Sequence, residues 1–205
     1  MRANKGVITA AAAIAMGLGA LYANEGGYVD DPADRGGKTR FGVTEAVARK
    51  AGYRGHMRDL PKHCAPGVTV CADAIYQRLY IEAPGYKPFA YIEPAVLWEL
   101  LDSAALHGPP RPSRWLQQAV NGACGQSLAV DGVVGPATVS AYRTCQGIYG
   151  KALACRVVLD RMDTAQMAFF KDIVGRRPSQ LRFYKGWTAH RINNVDRAAC
   201  GWGEG

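Results

Sequence analysis

No C-x-x-C pair, no internal repeat, no low-complexity linker and no cluster of Lys and Arg interleaved with aromatics occurs in the 205 residues. Each absence removes a class. The missing repeat excludes solenoids, and the missing linker points to parts that share one body. Basic residues scattered along the whole length, with no helix-turn-helix pattern, speak against nucleic acid as partner. Acidic residues are in deficit, with 17 Asp and Glu against 25 Lys and Arg, so the net charge is +8. A surplus of this size suits a polyanionic partner, and with nucleic acid set aside there remain anionic lipid and bacterial cell wall. The chain is 48% hydrophobic with 24 Gly and 11 Pro. That composition excludes a disordered or collagen-like protein and describes a loop-punctuated fold with a full core.

What is present begins with six cysteines, Cys64, Cys71, Cys124, Cys145, Cys155 and Cys200. His56, His63, Cys64 and Cys71 do not match zinc spacings, so no metal and no cofactor is expected. An even count points to disulfides formed in an oxidising, periplasmic or extracellular compartment. Six cysteines allow fifteen pairings, and sequence alone does not choose among them. Local closure suggests Cys64 with Cys71, Cys124 with Cys145, and Cys155 with Cys200.

After Arg2 and Lys5, residues 6–23 (GVITAAAAIAMGLGALYA) carry no charge. As a helix this stretch rises about 27 Å, just short of the hydrocarbon core of a bilayer. Seven Ala, three Gly and one Thr make up most of it, so its hydrophobic drive is weak. The flanking positive charge predicts an N-inside, C-outside orientation. Three readings compete: a signal peptide cut after Ala23, where Leu21 fits the small-x-small pattern poorly; a permanent anchor, for which the run is short and poor in Leu; and a segment that leaves the bilayer and packs on the globular body. The third is favoured. No cysteine lies in the run, so its release would not depend on thiol exchange within it.

The chemistry-bearing string follows at once: Glu25-Gly26-Gly27-Tyr28, Asp30-Asp31-Pro32, Asp34-Arg35-Gly36-Gly37-Lys38-Thr39-Arg40, Phe41-Gly42-Val43-Thr44. It predicts a helix ending at Gly26-Gly27, an extended stretch, a tight turn at Gly36-Gly37, and a returning strand into a helix capped by Thr44. A Glu before a Gly cap and an Asp-Asp-Pro turn are each common in structural roles. Together they offer a carboxylic acid among apolar neighbours, whose pKa rises, and a second carboxylate, Asp34, that stays ionised in a polar turn. Glycoside cleavage requires this division of labour.

The full string resembles the signature of glycoside hydrolase family 108, N-acetylmuramidases found among phage endolysins and bacterial lysozymes. The resemblance implies a mainly α, lysozyme-like α+β fold with a small β-hairpin beside Glu25, and cleavage of the bond between N-acetylmuramic acid and N-acetylglucosamine. It implies Glu25 as the acid and Asp34 and Thr39 as its partners, in the Glu-Asp-Thr order of phage-type lysozymes. Tyr28, Phe41 and Thr44 are the expected substrate contacts. Downstream, Asp73–Tyr86 is similar to a family helix in which Ile75, Tyr76 and Leu79 are expected to be core. Leu97–Gly108 reads as amphipathic. Trp115–Val120 resembles the first helix of a peptidoglycan-binding segment, and Leu128–Thr138 its turn, with a helix starting near Pro136. Asp131 in that turn is structural first and a candidate sugar contact second. Arg156–Trp187 reads as a helix, a break at Pro178, and a short helix ending at Gly186-Trp187.

The expected organisation is an N-terminal release helix at 1–23, a catalytic segment at 24–92, a peptidoglycan-binding helical segment at 93–189 in the same body, and a tail at 190–205. The expected protein is a phage endolysin in the periplasm of an infected Gram-negative host. It binds peptidoglycan glycan strands, is held transiently in the inner membrane through residues 6–23, and is a monomer when released. Two rivals remain: a lytic transglycosylase, and a wall-binding protein without catalysis.

Overall fold

A computed structural model of the chain describes residues 8–24, 27–30 and 37–203. The first helix, α1 (Ala10–Asn24), buries Ala10, Ala13, Gly17, Leu18 and Leu21 on one face. That spacing is helical, and the small residues let α1 lie close against α5 (Pro94–His107). A Cβ on Gly17 would stand 2.8 Å from Leu101 and 2.9 Å from Trp98 of α5. The Trp98 indole donates a 2.8 Å hydrogen bond to the Ala13 carbonyl. Among the described residues no helix is long and apolar enough to cross a membrane.

A small antiparallel sheet follows, β1 (Tyr28–Val29), β2 (Thr39–Arg40) and β3 (Val43–Thr44), paired in that order with Tyr28 opposite Arg40 and Thr39 opposite Thr44. Next come α2 (Glu45–Lys50), a 3-10 turn (Met57–Asp59), α3 (Ala72–Tyr76), a π-helical turn (Gln77–Glu82) and α4 (Phe89–Ile92). Ile75 and Tyr76 are core residues, and Leu79 is packed against them, half-buried.

Leu97–Gly108 is not amphipathic. It forms most of α5, which is buried on nearly every side by α1, α4, α6 (Pro110–Cys124) and α8 (Lys151–Arg176). The polar letters Glu99, Asp102 and Ser103 suggest a wet face, but all three are buried. Asp102 and Ser103 find partners in distant parts of the chain, and Glu99 finds Ser103 one turn away. Arg191 and Asn194 bond to Asp102, and the Ser103 hydroxyl donates to Glu99 while accepting from Gln166 of α8. The second half of the chain packs α6, α7 (Pro136–Tyr149) and α8 together, with α9 (Leu181–Arg191) laid on α8. The helix α9 does not stop at Gly186-Trp187. Gly186 has open space around it, and the i,i+4 pair Phe183 and Trp187 stacks across it.

The disulfides are Cys64–Cys71, Cys124–Cys145 and Cys155–Cys200. The last ties residues beyond 190 to α8. That segment is docked rather than loose: Arg197 bonds to Asp160 and Asp163, and the Gly201 amide donates to Glu93. One hydrophobic cluster runs from Ala10 to Cys200. At Gly85 a Cβ would meet the Val134 carbonyl at 2.0 Å, so the loop after the π-helical turn and the loop before α7 touch backbone to backbone.

Glu99 is 1% exposed, and one of its carboxyl oxygens has no hydrogen-bond partner. Burial, then the negative charge of Asp163, pushes its pKa up to about 8. The folded state therefore holds a proton that the unfolded chain releases near pH 4.5, and this contribution to stability is lost as pH rises through 8. His107 runs the opposite way. Burial lowers its pKa to about 4, so its effect lies below 6.5. Burial raises Asp102 and Asp163 as it does Glu99, so any contribution of theirs has the same sign as that of Glu99. Between pH 6.5 and 8 stability should fall by up to about 1.4 kcal/mol per unit. Glu99→Gln, which copies the protonated form, should flatten that fall in a series of urea midpoints against pH. An equal slope in the variant contradicts the assignment.

Candidate active site

The end of α1 is held firmly. The Tyr22 hydroxyl donates 2.6 Å to Asp73, whose other oxygen lies 2.8 Å from His63 Nδ1. Burial, then Asp73, raises the Tyr22 pKa, so it remains a donor. Its ring meets Phe41 and Tyr76 edge-on at 6.0 and 5.8 Å, and the Lys62 ammonium sits 4.5 Å from its centre. Tyr22 precedes Glu25 by three residues, and Tyr28, the first residue of β1, follows it by three. The described structure therefore brackets the segment carrying the expected acid. Glu25 and Asp34 themselves lie outside the described residues.

The β2–β3 connection is Phe41-Gly42, both with positive φ, 52° and 73°. Two such residues suit a two-residue hairpin turn, but the left-handed region is costly for a bulky side chain. Three contacts hold Phe41 there: its ring against Tyr22, the Arg40 guanidinium 5.0 Å above it, and its carbonyl accepting 3.0 Å from the Tyr76 hydroxyl. Strain held by over-determination at a hairpin is a mark of functional sites.

Beside this sheet lies a polar cleft of about 390 Å³, lined by Tyr28, Asp30, Lys38, Glu45, His56 and Arg58 among others. That volume lies in the range of small-ligand sites. The Tyr28 hydroxyl donates 2.9 Å to Asp30, Lys38 stands 4.0 Å from the same carboxylate, and Arg58 lies 5.4 Å over the Tyr28 ring. Glu45 pairs with Arg49 at 2.7 Å, and Arg49 also donates to the Tyr53 and Gly55 carbonyls, fixing the loop that carries His56. Mixed charges around an aromatic platform suit a hydroxyl-rich ligand.

The hairpin brings Tyr28, Thr39, Phe41 and Thr44 together, each with a different duty. Tyr28 lines the cleft. Thr39 lies on β2 between Val29 and Thr44, its hydroxyl donating 3.1 Å to the Gly37 carbonyl. Thr44 caps α2, accepting 3.4 Å from the Val47 amide. Thr44→Ala should cost about 1 kcal/mol of stability in a urea titration. Asp131 stands apart from this group. It accepts from Gln117 at 2.7 Å and from the Val133 amide at 2.9 Å, which organise the loop before α7 and lower its pKa. Glu45 and Arg58 are not candidates from sequence, Lys38 stands in the signature string without a role, and His56 enters only as a rejected zinc ligand. Only the i,i+4 pair Glu45 and Arg49 left a local signal, and that reads as helix stabilisation.

Residues 18–108 match the family model described as glycosyl hydrolase 108, and residues 111–192 the model described as predicted peptidoglycan domain. The first match takes in the end of α1, the sheet and α5; the second takes in most of α6 and all of α7 to α9. Among solved structures the chain is similar to SagA of Brucella abortus, with a TM-score of 0.66 and 26% identity over 92% of this chain and 94% of that one. No curated protein matches.

Proposed function

We propose, from the premise that the chain belongs to the glycosyl hydrolase 108 family through residues 18–108, that it hydrolyses the β-1,4 bond between N-acetylmuramic acid and N-acetylglucosamine. Its action on peptidoglycan is the family's, and residues 111–192 add a peptidoglycan domain. The observation that carries the finer reading is the polar cleft beside β1 and the strained hairpin. Glu25 follows the carboxyl end of α1, whose partial negative charge favours a protonated acid. It gives its proton to the glycosidic oxygen as the bond from the muramic acid C1 breaks. Asp34, aided by Thr39, stabilises the positive charge at C1 or orients the water that adds there. Tyr28 and the Lys38 and Arg58 cations hold the strand. The test is to digest isolated peptidoglycan with the purified chain and identify the new reducing ends. N-acetylmuramic acid is the expected end, and N-acetylglucosamine ends overturn the reading.

The second part of the proposal concerns α1. The chain is exported to the periplasm of a phage-infected Gram-negative host, tethered by residues 6–23, and becomes active when the segment leaves the membrane and docks on α5. The small-residue face of α1 against Trp98 and Leu101, and the three disulfides, support this reading. Leucine at the outward-facing Ala11, Ala12, Ala15 and Gly19 leaves the docking face intact but favours the bilayer. Host lysis should then be delayed; unchanged timing removes the tether from the account.

A further inference from the structure

A second concave surface lies far from the sheet in sequence, between the end of α5, α8 and α9. It measures about 440 Å³ and is lined by His107, Phe169, Phe170, Arg176, Arg177 and Trp187 among others. Its aromatic content is dense. Phe170 stacks on Trp187 at 5.3 Å, Trp187 on Phe183 at 6.0 Å, and His107 meets Phe169 edge-on at 5.1 Å. Phe183 and Leu181 of α9 are 43% and 61% exposed, so the aromatic row reaches solvent instead of closing a core. Such a surface on a soluble helix marks a place of contact.

The rim is cationic. The Arg111 guanidinium lies 3.8 Å from the centre of the Phe169 ring, and Arg177 lines the groove. Among the described residues neither forms an ion pair, whereas Arg176 is matched by Asp172 at 2.8 Å. His107 is neutral at pH 7, its pKa lowered to about 4 by burial. The surface therefore presents flat apolar faces and two uncompensated planar donors.

We propose that this groove is a second peptidoglycan subsite, in which the aromatic row takes a sugar face and Arg111 and Arg177 take stem-peptide carboxylates. The inference rests on the reading that the chain acts on peptidoglycan, and adds where the wall is held during cleavage. Sugars offer apolar C–H faces to aromatic rings, and carboxylates match the guanidinium fork. No residue is shared with the polar cleft.

The test uses the full chain with three probes: intact sacculi, insoluble chitin, whose sugar chain carries neither stem peptide nor carboxylate, and vesicles containing phosphatidylglycerol. The variants are Arg111→Ala with Arg177→Ala, both exposed positions that should leave the melting temperature unchanged, and Trp187→Ala. The double variant should bind intact sacculi about tenfold more weakly in cosedimentation, the loss of a charge-assisted bond or two. It should bind chitin like wild type and cleave soluble glycan fragments at the wild-type rate. Trp187→Ala should weaken binding to both sacculi and chitin. If the double variant binds intact sacculi as wild type does, or loses affinity for vesicles alone, the subsite is refuted while the hydrolase reading stands. A wild-type chain that cleaves neither sacculi nor soluble fragments refutes the hydrolase reading, and the subsite with it. Should Trp187→Ala fail to fold, the double variant decides.

Discussion

Glu25→Gln is expected to lower the rate of peptidoglycan cleavage by about 10²- to 10⁴-fold, the range for loss of a general acid, while binding to sacculi and the melting temperature stay at wild-type values. The amide has the shape of the protonated acid but cannot give up the proton that the leaving oxygen needs. The size of the loss is informative because the cleft beside the sheet holds two carboxylates of its own, Asp30 and Glu45. Both are engaged in the described structure, Asp30 by Tyr28 and Lys38 and Glu45 by Arg49. Neither is therefore free to replace Glu25. Release of reducing ends by the variant at more than a tenth of the wild-type rate would show that one of them does so.

The second large effect comes from a residue with no chemistry of its own. Gly17→Leu places a side chain where a Cβ alone would stand 2.8 Å from Leu101 and 2.9 Å from Trp98. Overpacking of this kind costs about 1 to 3 kcal/mol. It should lift α1 off α5, break the bond from the Trp98 indole to the Ala13 carbonyl, and carry the end of α1 away from Asp73 and Tyr76. Because Tyr22 and Glu25 are separated by three residues, cleavage should fall by at least about tenfold together with stability. Gly19→Leu is the control. Nothing lies within 4 Å of a Cβ there, so activity and melting temperature should be unchanged. Equal effects at the two positions would mean that docking of α1 is not coupled to the site.

Much of this was legible along the chain because it was local. Thr44 marked the cap of α2, Pro136 marked the start of α7, and local closure paired the cysteines, whereas the turn expected at Gly36-Gly37 falls partly outside the described residues and the described hairpin turns at Phe41-Gly42. The alternation of Ala and Gly in residues 6–23 suggested a helix able to pack closely, and Gly17 against Trp98 is that contact. The rest depends on distant partners. The polar letters of α5 read as a wet face because Arg191 and Asn194, which satisfy Asp102, lie 89 and 92 residues away. Phe41 gave no sign of its left-handed backbone, since the rings and hydroxyl that hold it come from α1 and α3. Asp131 sits in a turn whose needs it meets locally, while the aromatic row of α8 and α9 is assembled across a break at Pro178 that hid its continuity.

On the proposed reading the chain holds peptidoglycan at the polar cleft and at the aromatic groove, and cuts it at the first. The central claim is hydrolysis at the muramic acid C1. It is tested most directly by digesting sacculi with the wild-type chain in water enriched in heavy oxygen and weighing the released muropeptides. The account predicts one heavy oxygen on each new N-acetylmuramic acid reducing end. Products that end in 1,6-anhydro-N-acetylmuramic acid without heavy oxygen would contradict it, and would make the chain a lytic transglycosylase.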